Sequence, residues 1–131
     1  MNALTNKGLP ASADETTDLS NLLQYSNDRA FICEMIDSFL KDIPVELQKM
    51  ERALFPNDID AVKFISHHLK TSVGYMGFRN ETWNLLDEME NCSLEEFNSE
   101  KTISNFSKLR SICQKAQIEL KRKEDEYLIK I

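Results

Sequence analysis

The feature that most constrains the fold of this chain is a hydrophobic stripe of helical spacing between Phe31 and Leu54. Apolar residues recurring in steps of three and four lie on one face of an α-helix, so the segment predicts one long amphipathic helix. Pro44 lies inside the stripe, and because the phase is kept across it we expect a kink rather than a helix restarted at Pro44. The stripe consists of Phe31, Met35, Phe39, Ile43, Leu47, Met50 and Leu54.

Other segments show the same helical period. We expect a short helix from Asp18 to Tyr25, a third helix from Asp58 to about Phe78, a fourth from Glu81 to about Cys92, and a last one from Ser99 to the low 120s. With only three glycines and three prolines in 131 residues, this pattern predicts an all-α fold, an antiparallel four-helix bundle with a short extra N-terminal helix. The predicted inward faces are Val62, Ile65, Leu69, Val73 and Met76; Leu85 or Leu86, Met89 and Cys92; and Ile103, Phe106, Leu109, Cys113, Ala116 and Leu120.

The length of the chain corresponds to one domain. Residues 1–16 are polar and lack periodicity, which indicates a flexible leader or linker. We place the bundle at residues 17–123 and a charged C-terminal tail at residues 124–131. The charged stretch that begins at Lys121 is interpreted as a solvated helix end rather than a binding tract.

Composition narrows the function classes. A formal net charge of −6 argues against nucleic-acid binding, because a phosphate backbone would be repelled. No apolar run approaches the ~20 residues needed to cross a bilayer, so we expect no membrane insertion and a cytoplasmic location. The three cysteines are widely spaced and form no disulfide or metal motif, which favours reduced thiols.

The predicted third helix has an unusual outer face. If its apolar residues face the core, His67 points into solvent, with Phe64, Thr71, Gly74 and Phe78 at helical spacing around it. No Asp or Glu occurs between positions 61 and 80, whereas Lys63 and Lys70 flank the histidine. An exposed patch with two phenylalanines and a histidine is typical of a docking surface, and we expect Lys63, Phe64, Thr71, Gly74 and Phe78 to contact a partner.

Histidine at the centre of that face suggests group transfer. A neutral imidazole nitrogen is nucleophilic near neutral pH, and the bond that it forms to phosphorus is labile enough to be passed on. The simpler alternative is an ordinary surface histidine. A metal site on His67 and His68 is disfavoured, because neighbouring helical residues point about 100° apart.

The segment Ser66–Phe78 resembles the motif of the histidine phosphotransfer (HPt) family, roughly H-x-[LI]-K-G-S-x-x-x-[LM]-G. His67 matches the phosphorylated histidine, Lys70 the lysine, Ser72 the small polar position and Gly77 the closing glycine. The resemblance extends over about residues 18–120, including the long helix with an internal proline. One departure is Thr71, where the family usually has glycine.

The resemblance implies a four-helix bundle without autonomous kinase activity, which carries a phosphoryl group on His67 between receiver-domain aspartates. It also implies that Lys70 stabilises the phosphoryl charge, that Ser72 and Gly77 are structural, and that the receiver supplies Mg²⁺. Response-regulator receivers, and a hybrid sensor histidine kinase as a further candidate, would be the partners of a monomer. Two alternatives stay open: a docking module in which Thr71 hinders transfer, and a helical scaffold that binds an amphipathic helix.

Overall fold

The computed structural model describes residues 15–93 and 99–129, and the described chain is entirely α-helical where it is regular. The all-α prediction is confirmed. The described helices are α1 (Ser20–Tyr25), α2 (Arg29–Leu54), α3 (Ile59–Tyr75), α4 (Arg79–Asn91) and α5 (Ser99–Ile129).

The four long helices close around one hydrophobic core. α2 packs against α3 and α5, α4 also packs against α3 and α5, and α1 contacts α3. All five residues predicted to face inward from α3 are buried. No helix among the described residues is long and apolar enough to span a bilayer.

Helix α2 runs without interruption through Pro44, so the helix does not restart there. Its buried face differs from the predicted stripe before the proline, where Ile32 and Ile36 are fully buried and Phe31 and Met35 are only partly buried. Four residues turn an α-helix by about 400°, so repeated steps of four rotate the stripe away from the core. Phe31 and Met35 therefore lie at the flank of the interface.

The turn between α3 and α4 lies earlier in the chain than predicted. α3 ends at Tyr75, before the expected end at Phe78, and Gly77 follows with φ of 77°. The backbone N–H of Phe78 then donates to the carbonyl of Val73, and the backbone N–H of Asp18 donates to the carbonyl of Met76. A Cβ on Gly77 would lie 1.9 Å from the Asp18 carbonyl oxygen, so glycine lets the N-terminal segment pass against this turn.

Helix α5 continues to Ile129, so the predicted end in the low 120s was wrong. Glu124 is buried and Tyr127 packs against the core, so the inward face continues past Leu120. At the other end of α5 the prediction for Ile103 was also wrong, since Ile103 is 40% exposed and Thr102 is buried instead.

The segment before α1 is held against the end of α5. The backbone N–H groups of Thr16 and Thr17 donate to the Glu119 carboxylate at 2.8 to 2.9 Å, and Lys123 donates to the Thr17 carbonyl at 2.9 Å. Both threonines are buried. The predicted leader therefore includes residues that pack on the bundle, while residues 1–14 lie outside the described part of the chain.

Candidate functional site

His67 lies on the outer face of α3, as the helical pattern predicts. Val62, Ile65 and Leu69 bury the opposite face, which directs the imidazole away from the core. The His67 side chain is 70% exposed. The next residue, His68, packs on Phe64 with ring centroids 4.5 Å apart.

The His67 ring is joined to helix α4 through Glu90. Nδ1 of His67 lies 2.7 Å from Oε2 of Glu90. The second carboxylate oxygen, Oε1, is buried and lies 2.7 Å from Nζ of Lys70, a charge contact rather than a directed hydrogen bond. The Lys70 ammonium donates to Asp87 at 2.9 Å. The four side chains form a continuous polar network between α3 and α4.

The charges in this network stabilise one another. The Lys70 ammonium and, after it, the His67 ring hold the pKa of Glu90 below its usual range, despite the opposing effect of burial. Partial burial by itself would lower the pKa of Lys70, but its contacts with Glu90 and Asp87 outweigh burial and raise it. Near neutral pH the pair is therefore ionised, with Glu90 as a carboxylate.

An ionised carboxylate only accepts hydrogen bonds. Nδ1 of His67 must therefore carry a proton and donate it to Glu90. The other ring nitrogen, Nε2, makes no hydrogen bond with the part of the chain that the structure describes. In the neutral ring Nε2 keeps its lone pair, which makes it the nitrogen available for attack on an electrophile.

A shallow groove of about 430 Å³ runs beside His67, bounded by α1, α3 and α4. Tyr25 of α1 is 69% exposed and packs on Tyr75 of α3, with ring centroids 6.0 Å apart. On the α4 side the Trp83 ring contacts the Lys70 and Arg79 cations at 4.1 and 4.2 Å. The lining residues are Asn21, Gln24, Tyr25, His67, Lys70, Thr71, Gly74, Tyr75, Arg79 and Trp83.

Four residues of the predicted docking surface share the outer face with His67. Thr71 is exposed and lines the groove together with Gly74, while Phe64 is 65% exposed. Lys63 is partly exposed. A Cβ on Gly74 would meet no atom within 4 Å, so the groove is open at that point.

The assignment of Phe78 to this surface was wrong. Phe78 is fully buried and packs edge-on against Phe39, with ring centroids 5.7 Å apart. Because α3 ends at Tyr75, the helical spacing that predicted an outward Phe78 no longer applies there. The turn at Gly77 directs the ring into the core instead.

The two predicted structural positions lie at the end of α3. The Ser72 carbonyl accepts a hydrogen bond from the backbone N–H of Met76, and the Ser72 side chain is partly buried. Gly77 adopts the left-handed backbone conformation of the turn. Positions 61–80 contain lysines and no Asp or Glu, but the positive charge beside His67 is partly neutralised, because α4 brings Asp87 and Glu90 to Lys70.

Sequence reasoning missed Glu90, Asp87 and Trp83. Asp87 and Glu90 are three residues apart on one helix, a spacing that places both on one face. Nothing in that spacing indicates which helix the face meets. Their role depends on the packing of α3 against α4.

One family model matches the sequence of this chain. The sequence model of the Hpt domain matches residues 34–117, more than half of the 131-residue chain. Comparisons with curated proteins and with solved structures give no match. His67, Lys70 and Glu90 lie within the matched range. Because the match covers more than half of the chain, the chain belongs to the Hpt domain family.

Proposed function

We propose that this protein is a carrier in a multistep two-component phosphorelay and that His67 is the residue phosphorylated. The observation that carries the proposal is an imidazole that is 70% exposed, with Nδ1 engaged by Glu90. This arrangement leaves Nε2 without a hydrogen bond among the described residues and therefore available to a partner. Membership of the Hpt family supports histidine phosphotransfer in general.

In the proposed reaction Nε2 of His67 attacks the phosphorus of a receiver's aspartyl phosphate. The N–P bond forms, the P–O bond to the aspartate breaks, and the carboxylate leaves with the bonding electrons. Lys70 stabilises negative charge on the phosphoryl group, and the receiver supplies Mg²⁺. The carrier has no kinase activity of its own, and the reverse reaction passes the phosphoryl group to a second receiver.

The docking surface supports a receiver as the partner. We define it as the groove beside His67 together with Lys63 and Phe64. Its exposed aromatic rings, Phe64, Tyr25 and Tyr75, offer apolar contact around the histidine, and Gly74 leaves room for a backbone. The proposal has two further parts. The protein is a monomer whose long helices are antiparallel. It works in the cytoplasm, where its partners are receivers or a hybrid sensor kinase.

A label-transfer experiment tests the relay. Receivers carrying radiolabelled phospho-aspartate and Mg²⁺ are mixed with the wild type, His67→Gln and His68→Gln. We expect acid-labile, base-stable label on the wild type and on His68→Gln, and none on His67→Gln. His68 is an exposed histidine on the adjacent position, so it controls for a general effect of losing an imidazole. Label on His67→Gln would contradict the assignment.

A docking module without transfer is the second candidate. The observation in its favour is Thr71, an exposed β-branched residue in the groove beside His67. Receiver binding at the groove without label transfer to the wild type would favour this function. Dependence of binding on Phe64 but not on phosphorylation would support it further.

A further inference from the structure

Resting on the proposed function, we propose that Arg79, held on the ring of Trp83, binds the phosphoryl group in the groove beside His67. Arg79 is the first residue of α4, and it is exposed. Its guanidinium carbon lies 4.2 Å from the centroid of the Trp83 ring. Arg79, Trp83 and His67 all line the groove, so this cation lies at the same opening as the nucleophile.

The lysine beside His67 is already paired with two carboxylates. Nζ of Lys70 lies 2.9 Å from Asp87 and 2.7 Å from Glu90. One positive charge against two negative charges leaves this network with one net negative charge. A phosphoryl group adds about 1.5 to 2 further negative charges, which the network by itself would repel. A second cation is therefore needed at the groove.

Arg79 supplies that charge. In the described part of the chain its guanidinium makes no ion pair, and it packs on Trp83 instead. A cation–π contact holds a cation in place without neutralising it, and arginine stays charged at every pH at which the protein is folded. Lys63 does not line the groove, so it is the poorer candidate.

The stability of α4 does not explain an arginine at this position. The N-terminus of a helix has partial positive charge, so a cation in the first turn is unfavourable. Trp83 lies four residues after Arg79, on the same side of α4, and its ring also contacts Lys70 at 4.1 Å. Trp83 therefore keeps both cations at one wall of the groove, where they act on the same anion.

A guanidinium suits a phosphoryl group. Its N–H donors form a planar fork that binds two phosphate oxygens at once, whereas an ammonium acts as a point charge. During transfer Nε2 of His67 forms the N–P bond while the P–O bond to the donor aspartate breaks. The oxygens that remain on phosphorus keep their negative charge, and Arg79 binds those oxygens. It should therefore stabilise the phosphorylated carrier as well as the transfer step.

The first measurement needs no receiver. Phosphoramidate phosphorylates an imidazole directly, because the ring nitrogen attacks phosphorus, the P–N bond of phosphoramidate breaks, and ammonia leaves. The chain has two histidines, so every variant also carries His68→Gln. Phosphorus-31 NMR of the phosphorylated chain at several pH values gives the pKa of the phosphoryl group. The variants are Arg79→Gln, Arg79→Lys and Arg52→Gln; Arg52 is exposed in the last turn of α2 and lies outside the groove.

We expect Arg79→Gln to raise the pKa of the phosphoryl group, because a bound guanidinium favours the doubly charged form. Arg79→Lys should recover part of the difference, since the charge remains and the fork is lost. Arg52→Gln should leave the pKa unchanged. If Arg79→Gln also leaves the pKa of the phosphoryl group unchanged, the inference is wrong.

The second measurement follows label transfer from a receiver. Arg79→Gln should lower the second-order rate constant of transfer about tenfold, the effect of losing one hydrogen bond between charged groups. Trp83→Leu should lower the rate constant by a smaller factor, and Trp83→Phe should restore it, because an aromatic ring still holds Arg79. Equal rates for the leucine and phenylalanine variants would remove Trp83 from the proposal.

The two measurements separate failure of the relay from failure of the inference. If no receiver transfers label to the wild type, the proposed function fails, whereas phosphorus NMR still decides whether Arg79 binds a phosphoryl group on His67. If Arg79→Gln slows transfer and leaves the pKa of the phosphoryl group unchanged, Arg79 contacts the receiver protein instead. The relay then stands and the inference fails.

Discussion

The two glycines after His67 have different structural roles. Gly77 adopts a positive φ and lies against the Asp18 backbone, whereas Gly74 is within α3 and has open space where a Cβ would be. Both belong to the same short segment of sequence. Substitution by alanine therefore separates a structural glycine from a glycine that opens the docking surface.

Gly77→Ala should lower the free energy of unfolding by at least about 2 kcal/mol, because a left-handed conformation costs roughly 1–2 kcal/mol for alanine and the Cβ would overlap Asp18. Urea unfolding followed by circular dichroism measures the change. An unfolding midpoint equal to that of the wild type would show that this turn tolerates a side chain.

Gly74→Ala should keep or raise stability by about 0.5–1 kcal/mol, because alanine is the better helix former. We expect weaker receiver binding in the same variant, since the added methyl group projects into the groove. Titration calorimetry with a receiver measures the affinity. Binding equal to the wild type would remove Gly74 from the docking surface.

Thr71 is the residue at which this chain departs from the pattern it resembles. If its branched side chain obstructs the receiver, Thr71→Ala should accelerate label transfer by up to about tenfold, equivalent to roughly 1.4 kcal/mol of barrier. Thr71→Val retains the branch and should stay as slow as the wild type. Equal rates for the alanine and valine variants would mean that the branch is not the obstacle.

Among the secondary-structure elements, α1 has the least extensive packing and yet forms a wall of the groove beside His67. Two sets of contacts near its N-terminus hold it in place. Asn21 donates to the Gly74 carbonyl at 3.0 Å, and the preceding segment is bound to Glu119 and Lys123 of α5. The far end of α5 thus helps to shape the groove beside His67.

Glu119→Gln should lower the free energy of unfolding by about 1–2 kcal/mol at neutral pH, because charge-assisted hydrogen bonds to Thr16 and Thr17 become neutral. Burial by itself would raise the pKa of Glu119, but those hydrogen bonds and Lys123 lower it overall. The exposed Glu34, changed to glutamine, is the control. Urea unfolding at several pH values measures the difference.

The lowered pKa of Glu119 determines how its contribution to the free energy of unfolding depends on pH. A carboxyl group whose folded-state pKa is lowered stabilises the protein fully above the pKa of an unfolded glutamate, about 4.3. That contribution is lost as the pH falls through the folded-state pKa. The stability difference between the wild type and Glu119→Gln should therefore shrink below pH of about 4.3; a constant difference down to acidic pH would contradict this account.

At the scale of the whole molecule, the end of α5 is part of the packed bundle. A chain ended after Lys123 loses the buried Glu124 and the core contact of Tyr127. We expect a loss of about 1–2 kcal/mol in the free energy of unfolding, the scale of partial burial of an aromatic ring. A chain ended after Ile129 is the matched control. Equal stability of the two chains would show that residues 124–129 contribute nothing to the free energy of unfolding.

The sequence by itself determined the helical class and the outward direction of His67, because both depend on local periodicity. The buried set of α3 follows a period of 3.6 residues, and the exposed set follows from it. The same local reasoning failed at Phe78, where a left-handed glycine ends the helix, and at Phe31, where repeated steps of four drift around the axis.

Only the tertiary structure decided which groups meet His67. Glu90 is 23 residues away along the chain, and it contacts the imidazole because α3 and α4 pack side by side. The buried threonines before α1 likewise meet Glu119 from the opposite end of the sequence. Hydrogen bonds form between neighbours in space, whereas periodicity reports only which face of a helix is buried. The outward position of His67 was therefore predictable, and its partners were not.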